Sequence, residues 1–137
     1  MATLNFNIQS TSKDFFEKII SLFKDFPPYN KLRKQERFVL SRLMYYYYII
    51  GLDIKDDVMI NVALFDNIYK NKIAEEMMLE DEDGKAFEKA FAKFSNVLTT
   101  LRKKDLIIRK NGKNVLNSAY LFKPAMTEVI FKFNISN

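Results

Sequence analysis

The chain has 137 residues, a net charge of +5, 48% hydrophobic residues, and neither histidine nor cysteine. This length suits one domain with a buried core, and so apolar a composition is not typical of a disordered chain. Without imidazole and thiol groups, the commonest general base, the usual metal ligands and thiolate nucleophiles are missing. We therefore expect no enzyme, no cofactor and no small-molecule substrate.

Hydropathy argues against a membrane protein. No apolar run approaches the roughly 20 residues that a transmembrane helix needs. The first ten residues also lack the basic and then apolar layout of a signal peptide. These patterns predict a soluble, cytoplasmic protein without a membrane partner.

The N-terminal region is predicted to form a strand and then a helix. Leu4, Phe6 and Ile8 alternate with polar residues, as in a half-buried strand. From Phe15 to Phe26, phenylalanine and isoleucine recur on one helical face, and the following Pro27-Pro28 should end that helix.

A second helix is predicted from about residue 32 to residue 50, with Gly51 as its C-terminal stop. The side chains expected to face inward are Val39, Leu40, Leu43, Met44 and Tyr47. Three cations near its start, Arg33, Lys34 and Arg37, oppose the positive end of the helix dipole. This placement favours a bound anion such as a phosphate, although a solvated surface is the alternative.

The next stretch is less regular. Residues 54–65 are too short and too mixed to assign to helix or strand. A third helix is predicted at about 66–79, and an exposed acidic turn, Glu80–Asp83, follows it.

Residues 86–124 hold the most informative pattern. An apolar stripe at helical spacing predicts a buried helix face: Phe87, Phe91, Phe94, Leu98 and Leu101. The opposite face contains no acid and consists of Lys85, Lys89, Lys93, Asn96, Thr100 and Lys103. Asn111-Gly112 between two β-prone segments predicts a hairpin, because both residues tolerate positive φ. The hairpin would have a basic tip formed by Arg109, Lys110 and Lys113.

This order of elements resembles winged helix-turn-helix domains, especially small ones encoded by tailed bacteriophages. The polar-faced helix, which ends in the sequence Leu-Arg-Lys-Lys-x-Leu-Ile, resembles the recognition helix, and the basic hairpin resembles the wing. Upstream, residues 71–79 resemble the first helix of the motif and residues 35–50 the first helix of the module. Asp105 stands where such domains usually have glycine, and it should adopt the left-handed conformation.

The resemblance covers residues 28–124 and implies a mainly α fold with a small β component (α+β). Residues 1–137 would form a single domain, in which a strand and helix at 3–26 and a strand at 128–136 are additions to the winged core. Val129, Phe131, Phe133 and Ile135 alternate with Ile130, Lys132 and Asn134, as in a strand. Because an isolated strand leaves its backbone groups unpaired, this strand is expected to pair with the first terminal strand or with a neighbouring subunit. Phe6, Phe131 and Phe133 should turn inward.

The resemblance also implies a non-enzymatic protein that binds double-stranded DNA, as a transcriptional regulator or an accessory factor. Lysines of the recognition helix would contact phosphates, Asn96 and Thr100 could reach base edges, and the wing cations would lie on the adjacent backbone.

Charge segregation keeps an alternative open. Residues 51–83 carry a net charge of −7 and residues 84–137 a net charge of +8. Acids in the turn at 80–83 would repel DNA phosphates. The same fold could therefore make protein contacts in a phage virion or replication complex, or the acidic segment 75–83 could pair with the basic segment 84–137 of another copy.

Overall fold

A computed structural model describes residues 2–6, 13–77, 86–121 and 129–133, the first and last of these ranges by their backbone alone. The described residues form five α-helices and two antiparallel sheets of two strands each. The helices are α1 (Lys13–Leu22), α2 (Lys34–Asp53), α3 (Asp57–Leu64), α4 (Asn67–Met77) and α5 (Ala86–Lys103). The strands are β1 (Ala2–Phe6), β2 (Ile107–Lys110), β3 (Lys113–Leu116) and β4 (Val129–Phe133). The predicted composition, mainly α with a small β component, is confirmed.

Helix α2 is the centre of the hydrophobic core. Helices α1, α3, α4 and α5 all pack against it. The largest fully buried side chains come from all five helices and from β2, among them Phe16, Leu40, Leu64, Phe94 and Ile107. The core therefore fixes the position of α5 and of the hairpin that follows it.

The first helix is shorter than its apolar pattern predicts. It ends at Leu22, and the chain continues in turns in which the Phe26 N–H donates to the Phe23 carbonyl (2.9 Å). Phe26 is consequently 48% exposed instead of buried. Its spacing continued the helical stripe by coincidence, four residues beyond the last residue of the helix.

Two details of α2 also differ from the sequence prediction. Gly51 does not end the helix, which continues to Asp53. A Cβ at Gly51 would lie 3.6 Å from Ile60 Cδ1, so this residue is where α3 approaches α2 closely. The buried tyrosine is Tyr46, whereas Tyr47 is only half-buried, and its hydroxyl donates to the Asp57 carboxylate.

The terminal strands pair with each other within the chain. Strand β1 runs antiparallel to β4, with Leu4 opposite Phe131 and Phe6 opposite Val129. This confirms the simpler of the two predicted pairings. The predicted strand ends Ile8 and Ile135, and the predicted inward orientation of the phenylalanine side chains, lie outside the described part of the structure.

Candidate nucleic-acid interface

Helix α5 has one buried and one exposed side, as its periodicity predicts. The buried side consists of Ala90, Phe94, Val97, Leu98 and Leu101. The N-terminal end of the predicted stripe is not fully covered, since Phe91 is half-buried and Phe87 is 37% exposed. The helix is therefore anchored mainly through its central and C-terminal turns.

The exposed side of α5 carries the predicted polar row. Lys89, Lys93, Asn96 and Lys103 are exposed, and Thr100 is half-buried. The Thr100 hydroxyl donates to the Asn96 carbonyl (3.2 Å), which leaves its oxygen available as an acceptor. From residue 89 to residue 103 the helix contains no acid. Lys85 lies outside the described residues.

A second polar row borders the first and was missed in the sequence. Ser95 and Thr99 are exposed, and Arg102 is half-buried. The Thr99 hydroxyl donates to the Ser95 carbonyl, and Arg102 Nη2 donates to Thr99 Oγ1, each at 3.2 Å. The three residues are spaced by four and three positions, which places them on one side of a helix. Sequence analysis did not select this row, because serine and threonine are common on exposed helix faces.

The C-terminus of α5 turns sharply into the hairpin. Asp105 has a φ of 61°, as predicted for the position at which glycine is usual. Around it, the Leu106 N–H donates to the Leu101 carbonyl (3.0 Å) and the Asp105 N–H to the Arg102 carbonyl (3.1 Å), the two bonds of a Schellman motif. Asn117 Nδ2 in turn donates to the Asp105 carbonyl (2.8 Å), so this corner is held from both sides.

The hairpin has the predicted two-residue turn. Asn111 and Gly112 have φ angles of 53° and 76°, and the flanking residues Lys110 and Lys113 lie directly opposite each other. All three tip cations are exposed, but they do not form one group. Because side chains alternate between the faces of a strand, Arg109 lies on the opposite face from the two lysines. The sequence prediction had placed all three on the same DNA backbone.

An asparagine from α3 fixes the base of the hairpin. Asn61 is only 2% exposed, its Oδ1 accepts from the Leu116 N–H (3.0 Å), and its Nδ2 donates to the Asp57 carbonyl (2.9 Å). Ile107 and Leu116, which pair with each other, are buried beside it. Sequence analysis did not single out Asn61, because one asparagine in an unassigned segment gives no signal.

One of the three cations at the start of α2, Arg37, has a side-chain partner within the protein. Arg33 precedes the helix, and its backbone N–H donates to Glu36 Oε1 (3.1 Å). Arg37 Nη1 donates to the Leu32 carbonyl (2.7 Å), while Arg33 and Lys34 are exposed. The Glu36 carboxylate also compensates the helix dipole at this end, so the dipole no longer requires a bound anion. Lys104 Nζ donates to Glu36 as well (3.1 Å), which places these cations beside the last turn of α5.

A polar cluster on the other side of the fold joins three helices. Glu76 of α4 forms an ion pair with Lys13 of α1 and accepts the Tyr46 hydroxyl of α2 (2.7 Å). Arg42 Nε lies 3.0 Å from Glu76 Oε2. Burial, and next the contact with Glu76, raises the pKa of Tyr46 to about 12, and the hydrogen bond from Lys13 to Glu76 raises the pKa of Lys13.

An open groove of about 500 Å³ lies along this cluster. Tyr45, Tyr46 and Tyr69 line it together with Lys13 and Lys72, whose ammonium groups lie over tyrosine rings. Helix α2 therefore does not present its four consecutive tyrosines as one flat platform. Their hydroxyls and rings join α2 to α1, α3 and α4.

Within the described ranges, no group of acidic side chains is placed to hold a metal ion, and no helix has the length and apolar character needed to cross a membrane. No protein-family model matches the chain, and neither a curated protein nor a solved structure is significantly similar to it. The interface must therefore be interpreted from its own residues.

Proposed function

We propose that this chain is a non-enzymatic DNA-binding protein of the winged-helix type, a phage regulator or accessory factor. Helix α5 enters the major groove of duplex DNA, and the β2–β3 hairpin lies on the adjacent backbone. Asn96 and Thr100 approach base edges, while Lys89, Lys93 and Lys103 neutralise phosphates.

The observation that carries the proposal is the exposed side of α5. The row Lys89, Lys93, Asn96, Thr100 and Lys103 offers cations, an amide and a hydroxyl group. The one acid of α5, Glu88, is exposed in the first turn, outside this row. An ordinary solvated helix face mixes both signs of charge, because opposite charges spaced by three or four residues stabilise the helix. A face with one sign only is adapted to a partner of the opposite sign.

The hairpin supports the same proposal. Lys110 and Lys113 are exposed and lie opposite each other across the two strands. Like charges directly across a sheet destabilise it. A phosphate group between the two ammonium groups would remove this repulsion. The lysine pair is therefore unfavourable in the free protein and favourable when a phosphate is bound.

A fluorescence anisotropy titration against duplex DNA of random sequence, at 50 and at 200 mM salt, tests the proposal. With about six phosphate contacts, the affinity should fall roughly 1,000-fold between the two conditions. The absence of binding at the lower salt concentration would refute it.

A second candidate function is favoured by a different surface. Val58, Met59 and Val62 on α3 are large, apolar and exposed. An assembly protein of a virion or replication complex would use such a surface to contact other proteins.

A further inference from the structure

Helix α3 presents an apolar face that the described part of the chain does not cover. Val58, Met59 and Val62 are 67%, 56% and 48% exposed, respectively. Leu52, exposed in the last turn of α2, is separated from α3 only by residues 53–56. Single exposed apolar side chains are ordinary, but several large ones close together mark a contact surface.

Exposed aspartates flank this face before and after α3. They are Asp53, Asp56 and Asp66, whereas the Asp57 carboxylate accepts from Tyr47 and Asn61 on the other side of α3; the single cation between residues 51 and 66 is Lys55. The Lys55 ammonium group donates to the carbonyl oxygens of Gly51 (3.0 Å) and Leu52 (3.4 Å), so it is directed to the end of α2. The surface thus has an apolar centre and a negatively charged rim.

We propose that this face, the α3 docking face, binds a basic amphipathic helix of another protein. Apolar side chains of the partner helix would pack on Val58, Met59 and Val62, and its lysines or arginines would meet the aspartates. This is the recognition mode in which the apolar side of a helix docks on a hydrophobic surface, with charges at the rim setting specificity.

Size and charge favour this occupant over a second copy of the chain. Eight helical residues span about 12 Å, which matches two to three turns of a partner helix. A stable dimer buries about 800 Å² on each partner, far more than one such helix offers. A two-fold contact would also bring the aspartates of both copies together at the same interface.

The opposite side of α3 is already occupied. Ile60, Asn61 and Leu64 are buried, and Asn61 holds the hairpin. Substitutions at Val58 and Val62 can therefore remove the docking face without disturbing the core. The docking face is also independent of the proposed DNA contacts on α5.

Binding of a labelled synthetic peptide tests the proposal. The probe is an amphipathic helix of five turns with leucine on one side and lysine on the other, and its control has glutamate in place of lysine. We expect the lysine peptide to bind the full chain and the glutamate peptide to bind at least about tenfold more weakly. The double variant Val58→Ser, Val62→Ser should bind the lysine peptide at least about tenfold more weakly than the parent.

A matched control is Leu22→Ser, which removes a similarly exposed apolar side chain at the end of α1 and should leave peptide binding unchanged. Circular dichroism and thermal melting confirm that each variant is folded. Equal binding of the lysine peptide to the parent and the double variant would overturn the proposal. So would a dimer in analytical ultracentrifugation that the double variant dissociates, since the occupant would then be a second copy. Attachment of the parent, but not of the double variant, to anionic lipid vesicles would overturn it in favour of a membrane surface.

Discussion

Replacing Lys110 and Lys113 with alanine should have opposite effects on DNA binding and on stability. Lys110 and Lys113 lie across from each other at the end of the hairpin. The turn between them depends on the positive φ angles of Asn111 and Gly112, so alanine at the two flanking positions should leave it unchanged. If they are phosphate contacts, their loss weakens binding. If they repel each other, their loss also stabilises the hairpin.

Each lost phosphate contact should make the salt slope shallower by about 0.9. For two contacts the change is about 1.8, which corresponds to binding about 60-fold weaker at 0.1 M salt relative to a 1 M reference. Removing one like-charge pair should stabilise the fold by roughly 0.2–1 kcal/mol, or raise the melting temperature by roughly 1–4 °C.

The assay is anisotropy with random duplex DNA at several salt concentrations, together with thermal melting by circular dichroism. The control is Lys18→Ala with Lys24→Ala, which removes the same net charge from exposed positions in and after α1. If wing and control variants weaken binding equally, only total charge matters. An unchanged affinity and slope in the wing variant would show that the hairpin does not touch DNA.

Three further variants test the rest of the structure. Lys89→Glu with Lys93→Glu should weaken duplex binding by more than about 100-fold. The circular dichroism spectrum should not change, because both side chains are exposed. Normal binding by this variant would show that α5 is not the recognition helix. Asn61→Ala should lower the free energy of unfolding in urea by about 1–3 kcal/mol, since the buried Leu116 N–H loses its acceptor, while exposed Asn30→Ala should not. The pKa of Tyr46 is raised from 10.0 to about 12 in the folded chain. The unfolded chain therefore ionises first, and stability should fall as pH rises between these values, less steeply in Tyr46→Phe.

The sequence predicted best those elements that local chemistry determines. The Asn111-Gly112 turn, the left-handed Asp105 and the two faces of α5 all depend on residues within one or two turns of each other. Such signals are present in a short window of sequence, so no tertiary information was needed to place the hairpin directly after the helix.

The errors arose where packing decides. Gly51 looked like a helix stop, yet the Ile54 N–H still donates to the Ile50 carbonyl (3.0 Å), and the helix continues where α3 packs against it. Helix α3 itself could not be assigned because its outer side is apolar. The helical period can be recognised in a sequence only when the exposed side is polar and the buried side apolar. In α3, the apolar Val58 and Val62 on the exposed side remove this difference between the two sides. The feature that hid this helix from prediction is also the one that makes it a docking face.

The structure also separates cations that look equivalent in the sequence, and this limits the number of phosphate contacts that α5 and the hairpin can make. Eight cations lie between residues 86 and 116. Lys104 is bound by Glu36, and Arg109 lies on the opposite face of the hairpin from Lys110 and Lys113. Excluding both leaves six of the eight, so the expected salt slope is about −5 instead of about −7. A measured slope near −7 would mean that Lys104 leaves Glu36, or that DNA reaches both faces of the hairpin.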